Sequence, residues 1–212
     1  MLAGETMLGR QTRLLRSVSR VVAVVGRDAA SPGPERSSAA GSWADGLPLL
    51  RDAFSGRGPL AGVYTALSWT RTEFNLFLGC DLPSITTRFL RYLTTCALSC
   101  QADVTVPQSR EHRYQPLCAV YRRRVLPVIR ARLARGENKV SGFFPSVVCR
   151  VVSWPEIASA GFPAGIFANM NAPEEYQAAK RRLEPLAACR RFSNLATDRD
   201  QSPAAWATVR RA

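Results

Sequence analysis

The stretch Phe74-Asn75-Leu76-Phe77-Leu78-Gly79-Cys80-Asp81-Leu82-Pro83-Ser84-Ile85 decides the fold. An apolar run meets two small residues, then an aspartate, then a proline. A short apolar run closed by turn residues suits a strand buried on both faces. Asp81 then falls just past the strand's carboxyl end, and Pro83 keeps the strand from continuing. Ser84 is placed to cap a following helix. Ligands of open α/β sheets bind outside the carboxyl ends of strands. An acidic residue there can hold a hard cation against substrate phosphates. Asp81 can equally serve as a turn cap, and spacing alone does not choose between the two.

Working outward, apolar residues at helical spacing predict a short amphipathic helix over residues 6–16. The β-branched run 21–25 predicts a buried strand ending at Gly26. Residues 27–46 read as a long surface loop rich in Ser, Gly, Pro and Ala. A brief strand is expected at 47–50, with Asp52 just beyond it. Gly58-Pro59-Leu60-Ala61-Gly62 opens a helix to about Trp69, since proline is favoured in a first helical turn. Gly58 and Gly62 allow close approach by either a ligand or a neighbouring backbone. Further on, the pattern predicts a helix over 84–98, a strand over 102–106 and a strand over 117–121. A basic helix over 122–135 closed by Gly136 follows, then strands over 147–152 and 166–170. Pro173 starts a last helix with acids in its first turn. Alternating strands and helices imply a three-layer α/β domain, with a mainly parallel sheet and helices on both faces. That domain is expected over residues 1–186, with 187–212 as a loosely ordered tail.

The chain has 212 residues, enough for one large domain. Hydrophobic residues make up 46% and charged residues 21%, which marks a globular chain. No apolar run is long enough to span a bilayer and no signal peptide is visible, so the cytoplasm is the expected compartment and no membrane partner is expected. The net charge of +13 attracts anions such as phosphorylated small molecules. The arginines are spread along the chain and lack interleaved aromatics, which suits solvated helix faces better than a nucleic-acid surface. The six cysteines lack Cys-x-x-Cys pairs, and His112 is the only histidine. Buried reduced thiols fit that pattern better than a zinc site or a Cys-His pair.

The pieces, in this order, resemble the molybdenum cofactor guanylyltransferases of the nucleotidyltransferase α/β fold. Gly58-Pro59-Leu60-Ala61-Gly62 is similar to that family's G-P-L-A-G helix start, and Cys80-Asp81-Leu82-Pro83 to its C-D-x-P metal motif. Gln115-Pro116-Leu117 followed by Ala119-Val120-Tyr121 is similar to its mid-chain segment. Residues 167–175 are similar to its closing F-x-N-x-N-T-P-E-[DE] motif, with Ala168 and Ala172 at positions often polar in the family. The resemblance covers roughly residues 5–186 and rests on the order of motifs that are individually weak.

The resemblance implies transfer of GMP from GTP to the phosphate of molybdopterin, with release of pyrophosphate. Asp81 would hold Mg²⁺ and carry the catalytic role, since such reactions depend on positioning and electrostatics. Asp52, Gly58 and Gly62 would join Asp81 on the nucleotide side. Gln115, Asn169 and Asn171 would face the pterin, because amides both donate and accept. The two asparagines can equally form a turn and cap before Pro173. Family members open with a strand and a loop of the type L-A-G-G-x-S-x-R-M-G-x-D-K, whose N–H groups and lysine hold phosphates. These 212 residues contain no such loop, and Gly4-Glu5-Thr6-Met7-Leu8 resembles the stretch that follows it. The chain is therefore expected to lack the first strand and loop, to leave a neighbouring strand partly unpaired, and by itself to transfer little GMP. Alternatives are cytidylyl transfer to the same pterin and a non-catalytic protein that keeps the fold. GTP, molybdopterin and proteins that make or accept the cofactor are the implied partners.

Overall fold

The computed structural model describes residues 6–26, 47–54 and 56–169, together with the backbone of 206–210. Its elements are α1 (Met7–Arg16), β1 (Val21–Gly26), β2 (Leu49–Arg51), α2 (Gly58–Trp69), β3 (Phe74–Gly79), α3 (Thr87–Leu98), β4 (Val104–Pro107), β5 (Cys118–Arg122), α4 (Leu126–Ala134), β6 (Cys149–Val152), α5 (Trp154–Ser159) and β7 (Trp206–Arg210). The strands form one sheet in the order β2-β1-β7-β3-β5-β4-β6. Helices cover both faces, as expected. Successive side chains of a strand point to opposite faces, so Leu76, Leu78, Cys118 and Val120 pack with α1, α3 and α5. Phe77, Ala119 and Tyr121 pack on the other face with α2 and α4. Gly26 and Gly79 end their strands at the same edge of the sheet.

The sheet is mainly parallel, but β5 runs antiparallel to both β3 and β4. Parallel strands need a crossover connection, usually a helix. Residues 108–117 contain no helix, only the bridge between Gln108 and Tyr114, so the chain returns antiparallel. The expected neighbours 21–25, 74–79 and 102–106 therefore share the sheet without being adjacent. β7 separates the first two, and β5 separates the last two.

β7 corrects two expectations. It lies parallel to both β1 and β3, with Val24 and Leu78 each facing Val209. Both strands are thus paired on either side, and no central edge is left open. Residues 206–210 belong to the centre of the sheet rather than to a loose tail. Two buried apolar strands offer a slot whose backbone groups need partners, and Trp206-Ala207-Thr208-Val209 has the β-branched and aromatic content to fill it. Residues 187–205 and the helix expected from Pro173 lie outside the described residues, as do residues 27–46.

Smaller differences also have local causes. Ile85 is fully buried, so α3 starts only after it. Thr86 rather than Ser84 is its cap, accepting a hydrogen bond from the Phe89 N–H at 3.2 Å. The expected basic helix opens as a 3₁₀ turn (Arg123–Val125) before α4, and Gly136 beyond its end has φ +80°. Of the strand expected at 166–170, Ile166 and Phe167 fall in a 3₁₀ turn over residues 164–167, Ala168 and Asn169 are in no strand, and Met170 lies outside the described residues. α5 was not expected. Its start is a capping box in which Ser153 and Glu156 satisfy each other's end groups. Arg150 also pairs with Glu156 and holds its carboxyl down at about 2.

Several arginines act as braces. Arg122 is buried between Glu73 and the Cys100 carbonyl, over the Phe74 ring. Arg123 donates to the Thr70 carbonyl at 2.8 Å. Arg124 pairs with Asp103, and Arg132 and Arg135 share Glu137.

Thr208 sits at the middle of β7, so proline there removes a ladder hydrogen bond between two strands. We expect Thr208→Pro to cost about 3 kcal/mol or more, or roughly 6–12 °C of melting temperature for a domain of this size. Calorimetry checks this. A change under about 2 °C would mean that β7 does not complete the sheet.

Candidate functional site

Beyond β3, the chain turns at Cys80-Asp81 and runs through Leu82 to Ile85 before α3. This turn is fastened from α1. Arg10 donates to the Ile85 carbonyl at 3.0 Å and Gln11 to the Leu82 carbonyl at 2.8 Å, both buried. Leu82 and Ile85 are anchored in the core below. Buried backbone carbonyls need donors, so the sequence-distant helix fixes where Asp81 can stand.

The Asp81 carboxylate lies back over its own strand end. A Cβ on Gly79 would come 2.5 Å from Asp81 Oδ1. The Gly79 N–H donates to the Leu117 carbonyl at 2.6 Å, which ties β3 to the start of β5. Below, burial pushes the Cys118 thiol well up, and the Asp81 charge adds to the shift. Cys118 therefore stays a neutral packing group rather than a nucleophile.

Asp81 opens onto a cleft of about 610 Å³. Its other walls are the loop between β4 and β5, including Ser109, Glu111, Arg113, Tyr114 and Gln115, and the segment from Ala164 to Asn169. Three of the residues singled out from sequence, Asp81, Gln115 and Asn169, thus line one cleft. The Gln115 N–H donates to the Pro107 carbonyl, and the Cys118 N–H to the Gln115 carbonyl, both at 2.9 Å. Asn171 lies outside the described residues.

Asp52, Gly58 and Gly62 do not line this cleft. Asp52 follows β2 at the edge of the sheet, and Gly58 and Gly62 belong to α2, which packs on the face of Phe77 and Tyr121. Asp52 accepts from Thr65 Oγ at 3.4 Å, and the Thr65 hydroxyl also accepts from the Ala53 N–H at 2.9 Å. Gly58 has φ +66°, the left-handed region in which glycine is at ease. An added Cβ there would touch Asn138 only at 3.8 Å. Conformation therefore selects glycine at 58, whatever else it does. Gly62 is buried in α2.

The sequence reading did not single out Glu111, Arg113 and Tyr114. Their signal is present as charged and aromatic residues beside Gln115 in a segment without strand or helix pattern. Ser109 Oγ donates to Glu111 at 2.9 Å, and this bond leads in holding the Glu111 carboxyl below its usual range.

Among the described residues no group of three or more His, Cys, Asp or Glu could form a closed metal cage. The donor set that is present suits a different mode. Mg²⁺ is commonly held by one or two carboxylates plus substrate phosphates and waters. The cleft supplies Asp81, with Glu111 also in its wall, and room for a phosphorylated ligand.

Residues 1–147 match the family model of the MobA-like NTP transferase domain. The chain belongs to that family. A probable molybdenum cofactor guanylyltransferase from Methanothermobacter thermautotrophicus is 34% identical over 169 residues, covering 77% of this chain and 79% of its own. One from Carboxydothermus hydrogenoformans is 31% identical over 131 residues, covering 62% of this chain. The chain spans 65% of the length of the Carboxydothermus relative and 55% of that of another in Flavobacterium johnsoniae. In fold, it matches the crystal structure of molybdopterin-guanine dinucleotide biosynthesis protein A from Archaeoglobus fulgidus with TM-score 0.57 and 17% identity, over 66% of this chain and 69% of that one. It also matches a protein from Aquifex aeolicus with TM-score 0.52 and 18% identity, over 74% of this chain and 96% of that one. No described helix is long and apolar enough to cross a membrane.

The close approach at Gly79 gives a direct test. Gly79 does not need a left-handed φ, so alanine is strained only against the Asp81 carboxylate. A crystal structure of Gly79→Ala should show that carboxylate turned away from residue 79. Melting temperature should fall by no more than about 4 °C, the size of a roughly 1 kcal/mol change. An unmoved carboxylate with a large loss of stability would show that Gly79 serves packing instead.

Proposed function

We propose that this site takes part in transfer of GMP from GTP to molybdopterin, forming the guanine dinucleotide cofactor. An oxygen of the pterin's phosphate would attack the α-phosphorus of GTP. The bond from that phosphorus to the β-phosphate oxygen breaks, and pyrophosphate leaves. The observation that carries this reading is the Asp81 carboxylate, fixed at the end of β3 and opening onto a cleft with two amide side chains. The names of the relatives supply the chemistry.

In this reading Asp81 would hold Mg²⁺, which when bound neutralises charge on the phosphates. The chain's part is to keep the carboxylate in one place. α1 does this through the Leu82 and Ile85 carbonyls, and Gly79 by leaving room. Preorganised groups of this kind cost no reorganisation at the moment of reaction. Gln115, Asn169 and Asn171 would orient the pterin edge, each able to donate and accept. Asp52, Gly58 and Gly62, standing apart on β2 and α2, would serve the nucleotide. GTP and molybdopterin are thus the proposed partners and Mg²⁺ the proposed cofactor, in a cytoplasmic protein.

The test is equilibrium binding of GTP with and without Mg²⁺, alongside pyrophosphate release in the presence of molybdopterin. Asp81→Ala should abolish the Mg²⁺-dependent part of binding while moving the melting temperature little. A variant that binds Mg-GTP as tightly as the parent would make Asp81 a turn residue and overturn the reading.

A further inference from the structure

Tyr114 is a large aromatic residue left 42% exposed, and it lines the cleft. Its position is not loose. Its ring meets Phe144 edge-on, with centroids 5.7 Å apart and planes at 66°. Phe144 meets Phe143 at 5.2 Å and 84°, and Phe143 tilts against Tyr121 at 6.2 Å. Tyr121 is fully buried, and its hydroxyl donates to the Pro116 carbonyl at 2.7 Å. A ladder of buried rings therefore holds one exposed ring at the cleft wall, and the same ladder reaches back to the backbone two residues after it.

The backbone at this wall is equally fixed. The Ser109 N–H donates to the Arg113 carbonyl and the His112 N–H to the Ser109 carbonyl, both at 2.9 Å. Gln108 Nε2 donates to the His112 carbonyl at 3.1 Å. His112 takes a left-handed φ of 57°, which closes this turn and delivers Arg113 beside Tyr114. The Arg113 side chain makes no hydrogen bond or ion pair among the described residues. It is the one cation among the described residues lining the cleft, against the carboxylates of Asp81 and Glu111. The Glu111 charge is its electrostatic neighbour, but Glu111 is already hydrogen-bonded to Ser109.

We propose that Arg113 and Tyr114 form a subsite for a planar heterocycle carrying a phosphate, the ring lying on Tyr114 and the phosphate meeting Arg113. A rigid exposed aromatic offers stacking area at little entropic cost. An arginine grips phosphate through paired N–H donors. This deepens the reading given above, since it rests on the cleft taking the acceptor. It adds the source of the acceptor's orientation: ring and phosphate are held at neighbouring residues, beside Gln115 and across the cleft from Asn169.

The test uses two fluorescent probes, 6-hydroxymethylpterin phosphate and its unphosphorylated parent, titrated against the full 212-residue chain. The wild-type chain should bind the phosphorylated probe more tightly. Arg113→Ala should remove that preference, a loss of about ten- to a hundredfold for the phosphorylated probe, and Arg113→Lys should restore part of it. Tyr114→Ala should weaken both probes by about tenfold, with Tyr114→Phe close to wild type. Melting temperatures should stay within about 4 °C, as both side chains are exposed. Pterin binding that ignores residues 113 and 114 would overturn this inference while leaving the acceptor reading in place. If neither pterin binds but riboflavin 5′-phosphate binds in an Arg113-dependent way, the subsite stands and the acceptor reading falls. Tyr114→Ala that lowers stability without changing affinity would reduce Tyr114 to a cover over Phe144 and overturn its part.

Discussion

The Asp81 carboxylate lies where a side chain at residue 79 would begin, with Oδ1 only 2.5 Å from the place of a Cβ on Gly79, and the candidate site depends on that constraint. It requires a strand that ends in glycine, and then a turn whose path is fixed from outside. β3 meets the first need because it is paired on both sides, by β7 and β5, and cannot shift its register cheaply. α1 meets the second through Arg10 and Gln11, which reach across more than seventy residues of chain to the Ile85 carbonyl and to the Leu82 carbonyl, whose other bond, from the Ile85 N–H, is long at 3.5 Å. The carboxylate is thus placed by the sheet and by a helix, not by its own loop.

Much of this was legible because local pattern and tertiary outcome agree. The apolar run before Asp81, the proline near the start of α2 and the glycine after α4 each carry their cause in adjacent residues. Thr6 caps α1 in the same local way, accepting from the Gly9 N–H at 3.0 Å. What stayed hidden depends on distant partners. The antiparallel sense of β5 follows from a missing crossover helix, which no residue of β5 announces. β7 is strand only because a slot exists between β1 and β3, and its five residues carry too weak a pattern to show that. The stretch from Ile166 reads as a strand, yet Ile166 and Phe167 turn into the core beneath the cleft, where Phe167 meets Phe89 edge-on at 5.3 Å.

The site was legible in part for the same reason. Asp81, Gln115 and Asn169 are far apart in sequence; the resemblance named Asp81 for the nucleotide side and the two amides for the pterin side, and all three line one cleft. The resemblance also grouped Asp52, Gly58 and Gly62 with Asp81, whereas the fold sets them just after β2 and in α2, and they do not line the cleft. Arg113 and Tyr114 could not be singled out by motif. Their meaning comes from the aromatic ladder through Phe144 and Phe143, which is visible only once the sheet is assembled. Net charge was a poor guide, because many of the arginines that raise it to +13 are tied to carbonyls and carboxylates of the fold.

Everything proposed for the cleft depends on Asp81 being the chain's carboxylate for a phosphate-bound divalent cation. The most direct measurement is anomalous diffraction from crystals grown with Mn²⁺ and a nucleoside triphosphate. A manganese peak is expected about 2.1–2.3 Å from an Asp81 oxygen, within the span typical of hard cations on carboxylates, with phosphate oxygens completing its shell. A peak elsewhere on the chain, with Asp81 still folded over Gly79 and free of metal, would contradict it.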